Sequence, residues 1–225
     1  MIKDQPQLQA LAARVLTHAK KLGSEQAEMS ATLETGFSVT ARVGDVETLE
    51  HHQNQSLDIT VYKNQRCGSA STSDFSLTAI QAAVEKACAM AQFTGEDVYL
   101  GLADRDLMAN DYPDLKLYHP WKITPKEAVA MAIHCETLAT QQDKRIKHSE
   151  GATINTFDTH EMYANSHGFF GDYLKSGHSI SCTLVAEQHD EMVREYEYTL
   201  ALDPANLLDY EKIAKRAAEK TLQRL

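Results

Sequence analysis

The sequence predicts an α+β fold of two similar lobes, each a set of antiparallel strands packed with helices. Two observations carry this prediction. Apolar residues recur at helical spacing in four separate segments, and two long stretches between them alternate apolar and polar residues with a period of two. The order helix, several strands, helix also occurs twice, which suggests a duplicated plan.

The first helix is expected over Gln5–Leu22, with Leu8, Leu11, Val15 and Leu22 on one stripe and Gly23 as its stop. The second, over Ser76–Phe93, spaces Leu77, Ile80, Val84, Ala87 and Ala91 along one face. The third opens with Thr124-Pro125-Lys126-Glu127, a capping box with proline at the first helical position, and turns Ala128, Met131, Cys135 and Leu138 inward. The fourth opens at Asp203-Pro204 and runs to Leu225, with Leu207, Tyr210, Ala214 and Ala217 inward.

Between the first two helices, Glu28–Val43 alternates, Gly44-Asp45 offers a hairpin turn and Val46–Glu50 continues. Leu57, Ile59 and Val61 then share one face, and Asn64-Gln65 turns the chain into Arg66–Thr72. In the second half, Arg145–Thr156, His160–Asn165, Tyr173–Glu187 and Met192–Leu200 read as strands, with turns near Asp158, His167-Gly168 and His189-Asp190. The stretch Gly95–Trp121, with Tyr112-Pro113-Asp114 and His119-Pro120, lacks a clean period. A linker at 101–122 gives lobes at 1–100 and 123–225; a single fused sheet covered by helices is the alternative.

The chain of 225 residues is large enough to bury a core without a disulfide or metal staple. Its net charge of −10 and lack of a basic stripe argue against nucleic acid as a partner. The C-terminal Lys212, Lys215, Arg216, Lys220 and Arg224 are interleaved with Asp209, Glu211 and Glu219 and read as a solvated helix face. No apolar run reaches the length of a bilayer span, so no membrane partner is expected. The N-terminal Met1-Ile-Lys-Asp-Gln-Pro lacks the basic and apolar parts of a signal peptide, which places the chain in the cytoplasm. Cys67, Cys88, Cys135 and Cys182 form no CxxC pair. In a reducing compartment they are expected to remain thiols.

No catalytic or metal-ligating set is legible. His160-Glu161 is followed by Ala164 and Asn165 where a helical HExxH or HExxxH would place its second histidine, and the segment reads as strand and turn. His51 and His52 are adjacent and face opposite ways on a strand, His134 is a rim residue, and His178 and His189 read as turn or edge residues. There is no GxSxG elbow, Cys67 has no basic partner, and Gly168-Phe-Phe-Gly171 is too short for a phosphate loop. No stoichiometric zinc or iron is expected in the purified chain.

Three further segments are harder to account for by generic packing. Ile59–Asp74 ends in Gly-Ser-Ala-Ser-Thr-Ser-Asp, and Asp143–Gly151 reads Asp-Lys-Arg-Ile-Lys-His-Ser-Glu-Gly. Asn165-Ser-His-Gly168 is followed by Ser179–Glu187 and by Met192-Val-Arg-Glu-Tyr-Glu-Tyr198. In order and spacing these resemble the N-terminal half of TldD/PmbA-type proteins, closest to the PmbA (TldE) type. The resemblance implies the non-catalytic N-terminal region of a metallopeptidase subunit that acts on unfolded peptides together with a TldD-like partner. It places the metal, zinc, in that partner and none in this chain. It also implies that the family's C-terminal domain is absent here and that the chain is inactive alone. An alternative is an interaction module that modulates DNA gyrase. Only signature positions carry over as site residues: Asn165, Ser166, Gly168 and Arg194, either a tight turn or a peptide-binding element. Peptide would add as a strand to an exposed sheet edge.

Overall fold

The structure, a computed structural model, describes residues 5–109 and 111–225. Met1–Asp4, on which most of the signal-peptide reading rests, lie outside them. The elements run α1 (Gln5–Lys21), β1 (Gln26–Arg42), β2 (Asp45–Lys63), β3 (Arg66–Thr72), α2 (Leu77–Ala91), α3 (Pro125–Thr140), β4 (Ile146–Asn165), β5 (Phe170–Gln188), β6 (Glu191–Ala201) and α4 (Tyr210–Gln223). The six strands form one antiparallel sheet in the order β3-β2-β1-β4-β5-β6. The α+β class expected from the two periodicities is the class observed.

Two compact units divide the chain, and they are interleaved in sequence. One comprises residues 1–34, 53–115 and 159–174, the other 35–52, 116–158 and 175–225. In the first unit α1 and α2 cover a core of Leu8, Val15, Met29, Leu57, Ile59, Val61, Ile80 and Val84. In the second, α3 and α4 cover Val39, Cys135, Ile154, Ile180, Cys182, Leu184 and Ile213. Every strand that lines these cores presents alternate residues to them, as the two-residue period requires. Cys135 and Cys182 are buried, Cys67 and Cys88 half-buried, and all four are free thiols.

The strands are longer than the sequence suggests. β2 runs for 19 residues, and β4 runs unbroken for 20, through the turn expected near Asp158. Asp158 stays in the strand because its carboxyl has a partner there: Tyr118 donates to it from the preceding segment. An aspartate engaged by another segment is less available to hydrogen-bond its own backbone, which is what usually makes it a turn residue. The β1–β2 turn falls on Val43-Gly44, both at positive φ, one residue before the expected Gly44-Asp45. Asn64-Gln65 is the two-residue turn expected, also at positive φ at both positions.

The helix boundaries differ by one or two residues at α1 and α2 and by more at the start of α4. Asp203-Pro204 opens only a short 3-10 turn over Pro204–Asn206, and α4 starts at Tyr210 with Asp209 as its N-cap. The Leu208 amide donates to the Thr199 hydroxyl at 3.0 Å, which commits that stretch to β6 instead of to a helix. Leu22 and Leu77, expected inward, are 39% and 53% exposed, because each lies at a helix end beyond the last covered turn. None of the helices among the described residues is long and apolar enough to cross a membrane.

The start of α3 is as expected. The Thr124 hydroxyl accepts from the Glu127 amide at 3.2 Å, and the Glu127 carboxyl accepts from the Thr124 amide at 2.8 Å. Replacing Thr124 by alanine leaves a helical amide unpaired and is expected to cost about 1 kcal/mol, read as a lower urea midpoint. An unchanged midpoint would show that the cap carries no stability.

Candidate functional site

Asn165, Ser166 and Gly168 lie in the turn between β4 and β5. The Asn165 side-chain oxygen accepts from the His167 and Phe169 amides at 3.1 and 3.2 Å, so it folds the turn around itself. Gly168 has φ +99 and open space where a Cβ would stand, so conformation and not crowding demands glycine there. Ser166 ties the turn to β1: its amide donates to the Ala27 carbonyl at 2.8 Å, and its hydroxyl accepts from the Ala27 amide at 3.0 Å. His167 Nδ1 lies 2.9 Å from the Ala103 carbonyl. Asn165 is 2% exposed, so this side chain is an internal support of the turn and has no open face for a ligand.

Beside the turn is a polar cluster that single-strand patterns could not reveal. Glu28 on β1 accepts from Tyr62 on β2 and from Tyr163 on β4, both at 2.6 Å, and Asn165 donates to the Tyr163 hydroxyl at 3.3 Å. Burial, with the hydrogen bond to Glu28 second, pushes both phenols above their ordinary range. The two tyrosines are therefore held as proton donors to one carboxyl group, an arrangement that crosslinks three strands and offers neither a nucleophile nor a base. The signal was a charged and two aromatic residues on the less buried phase of three strands, and only the strand register could bring them together.

The histidines are distributed differently from their sequence reading. His178, expected at a turn or edge, is fully buried on β5, with Nδ1 2.8 Å from the Thr156 hydroxyl and Nε2 2.9 Å from the His119 carbonyl. Trp121 packs its ring edge-on against it. The ring fixes the segment after the linker to the sheet, and this long-range role gave the sequence no local sign. His160 is 4% exposed and bonds Asp172 at 2.8 Å, with Gln5 donating to the second oxygen of that carboxyl group. With His160 Nε2 committed to Asp172 and His167 Nδ1 to a carbonyl, the donors near the turn do not fit a metal. Among the described residues no three His, Cys, Asp or Glu side chains gather to hold one.

Arg194 belongs to the other compact unit. It lies exposed on β6 and pairs with Glu150 at 2.7 Å, and its hydrogen bond holds that carboxyl below its usual range. The Asp143–Gly151 motif forms the lead-in and the first residues of β4. Arg145 grips Asp143 through both carboxyl oxygens at 3.0 and 2.9 Å, and the Ser149 hydroxyl accepts from the Gly151 amide at 2.8 Å. The hydrogen bond from Arg145 lowers the Asp143 carboxyl from 3.8 to about 2. Because the folded value is depressed, this stabilisation is present above pH 3.8 and is lost as pH falls towards about 2. A carboxyl-detected NMR titration should place the Asp143 midpoint near the lower value. Replacing Arg145 by glutamine should return it towards its ordinary range, and a midpoint that does not move would discount the pair.

Comparisons with known proteins agree with the motif series. Residues 27–91 match the family description "PmbA/TldA metallopeptidase domain 1" and residues 118–225 its central domain. The chain is 39% identical over 202 residues to metalloprotease PmbA of Escherichia coli O157:H7, covering 90% of this chain and 45% of that protein. It thus spans about half the length of that relative. A Bacteroides thetaiotaomicron protein described as a candidate modulator of DNA gyrase superposes with a TM-score of 0.90 at 23% identity, over 100% of this chain and 51% of that one. TldE of Thermococcus kodakarensis gives 0.76 at 17% identity, over 94% and 47%. These two likenesses establish the shared fold. With both domain descriptions matched in order and the identity sustained along nine-tenths of its length, the chain belongs to the PmbA/TldD family.

Proposed function

We propose that this chain is the non-catalytic N-terminal region of a PmbA/TldE-like subunit in a TldD–TldE-type metallopeptidase of the cytoplasm, with a scaffold or substrate-binding role towards unfolded peptides. The sustained identity to a protein named a metalloprotease is the observation that carries this reading. The use of the signature residues Asn165, Ser166 and Gly168 as turn supports fits a scaffold. In this reading the metal, zinc, and the activated water belong to the TldD-like partner, because peptide hydrolysis needs both and His160, His167 and His178 here each make structural bonds.

The test is reconstitution. The chain alone should leave fluorescein-labelled casein intact, whereas a full-length counterpart mixed with a TldD-like subunit should cleave it. Capture from a native extract should recover the TldD-like subunit; recovery of gyrase instead would favour the modulator alternative. Casein cleavage by the chain alone that disappears on replacing His160 would overturn the proposal.

A further inference from the structure

β6 is a terminal strand of the sheet, paired to β5 on one side only. Gln188 and Glu191 face each other across the two-residue turn His189-Asp190, and the pair that closes such a turn is hydrogen-bonded. Antiparallel pairing then alternates, so the odd-numbered residues of β6 bond to β5. Met192, Arg194, Tyr196, Tyr198 and Leu200 therefore direct their N–H and C=O groups to the open edge. The Tyr198 amide agrees with this phase, since it donates to the Glu197 side chain and not to β5.

The same even-numbered residues carry the exposed side chains. Met192, Tyr196, Tyr198 and Leu200 are 66, 49, 55 and 66% exposed, and the two tyrosine rings stack at 6.2 Å. On the other phase, Glu195 and Glu197 are neutralised by Arg224, the C-cap of α4, and Lys220 of α4; Arg194, on the outward phase, is neutralised by Glu150. Edge strands are commonly guarded by lysine, proline, shortness or a covering element. β3, the other terminal strand, is only seven residues long; α2 packs on it, as α4 packs on one face of β6. β6 has 11 residues, no lysine and no proline, and presents an apolar row.

We propose that β6 is a peptide-capture edge that takes an extended polypeptide segment by main-chain addition and favours apolar or aromatic residues at its alternate positions. The outward alternating donors and acceptors, the Tyr198 amide already bonded to the Glu197 carboxyl excepted, fix the occupant as an extended main chain, because nothing else meets that spacing. The neutralised charges give the edge no preference for a charged partner, and the tyrosine–leucine–methionine row sets the phase. This rests on the reading of the chain as part of a peptide-handling subunit and specifies where the peptide would lie.

The test uses the whole chain and a short fluorescein-labelled peptide alternating Leu or Tyr with Ser, followed by anisotropy. N-methylation of the amides in one phase should weaken binding at least about ten-fold, and methylation in the other phase should leave it unchanged. Tyr196→Pro removes an outward amide and spares the β5 ladder, and should weaken binding to a similar degree with an unchanged circular dichroism spectrum. The peptide arm needs no change in the protein, so it decides the matter even if that variant fails to fold. Equal binding of both methylated peptides, or no binding, would overturn the proposal. So would self-association by sedimentation that Tyr196→Pro abolishes, which would make a second copy the occupant. Capture of the TldD-like subunit, measured on the same variants, reports separately on the scaffold reading: it should persist when peptide binding is lost.

Discussion

Replacing Gly68 by alanine is expected to destabilise the protein by about 3 kcal/mol, since the overpacked atoms are backbone and cannot swing aside. A Cβ at this position of β3 would stand 2.1 Å from the Ala87 carbonyl oxygen and 2.5 Å from the Ala91 nitrogen of α2. Helix and strand touch main chain to main chain here, and Thr94 fastens the contact by donating to the carbonyls of Cys67 and Ala91. To admit one methyl group, α2 must lift from β3 and expose part of the apolar surface of Ile80, Val84 and Ala87. The Gly-Ser-Ala-Ser-Thr run that marks the family is thereby explained as packing. Glycine allows the approach, Ala70 packs against the core, and Ser69 bonds Thr60 across the β2–β3 ladder at 2.9 Å. Chemical denaturation followed by circular dichroism measures the effect, and a midpoint equal to the parent's would show that α2 is not seated on β3.

Replacing Glu136 by alanine is expected to cost about 2 kcal/mol, through the loss of two strong hydrogen bonds to backbone donors. Glu136 lies on the inner face of α3, 2% exposed, among Ala132, Cys135 and Ala139. Its two carboxyl oxygens accept the amides of Val43 and Gly44 at 2.7 and 2.9 Å, so it caps the β1–β2 turn. Val43 has φ 56, a left-handed conformation that a β-branched side chain resists. The paired bonds offset that strain. Glu136→Gln should lose less, keeping one acceptor oxygen. Val43→Gly should restore part of the stability in the Glu136→Ala background, because glycine adopts the turn without steric cost. Equal effects of Val43→Gly in both backgrounds would show that Glu136 does not hold the strained turn.

Reading the site from sequence succeeded where residues act on near neighbours. Thr124 and Glu127 are three positions apart and cap α3 as their spacing indicates. Asn165 and Gly168 likewise form a turn whose chemistry is contained within a few residues. The family, too, was legible, because its motifs are short contiguous runs that can be matched without knowing what each residue touches. Glu28, Tyr62 and Tyr163 were not legible as a cluster, because 34 and 135 residues separate Glu28 from its two partners.

The sequence by itself therefore determined the α+β class, the four helices, most hairpin turns and membership of the PmbA/TldD family. The first three follow from periodicity, caps and turn residues that act within one element, and the family from the resemblance of the motif series. Only the tertiary structure decided that β4 runs unbroken, that Glu136 and His178 are buried as clamps, and that the compact units interleave along the chain. A polar residue reads as surface until a distant donor or acceptor is brought to it, since burial is penalised only when the partner is missing. Those partners are supplied by strand register and helix packing, which link residues far apart in the chain.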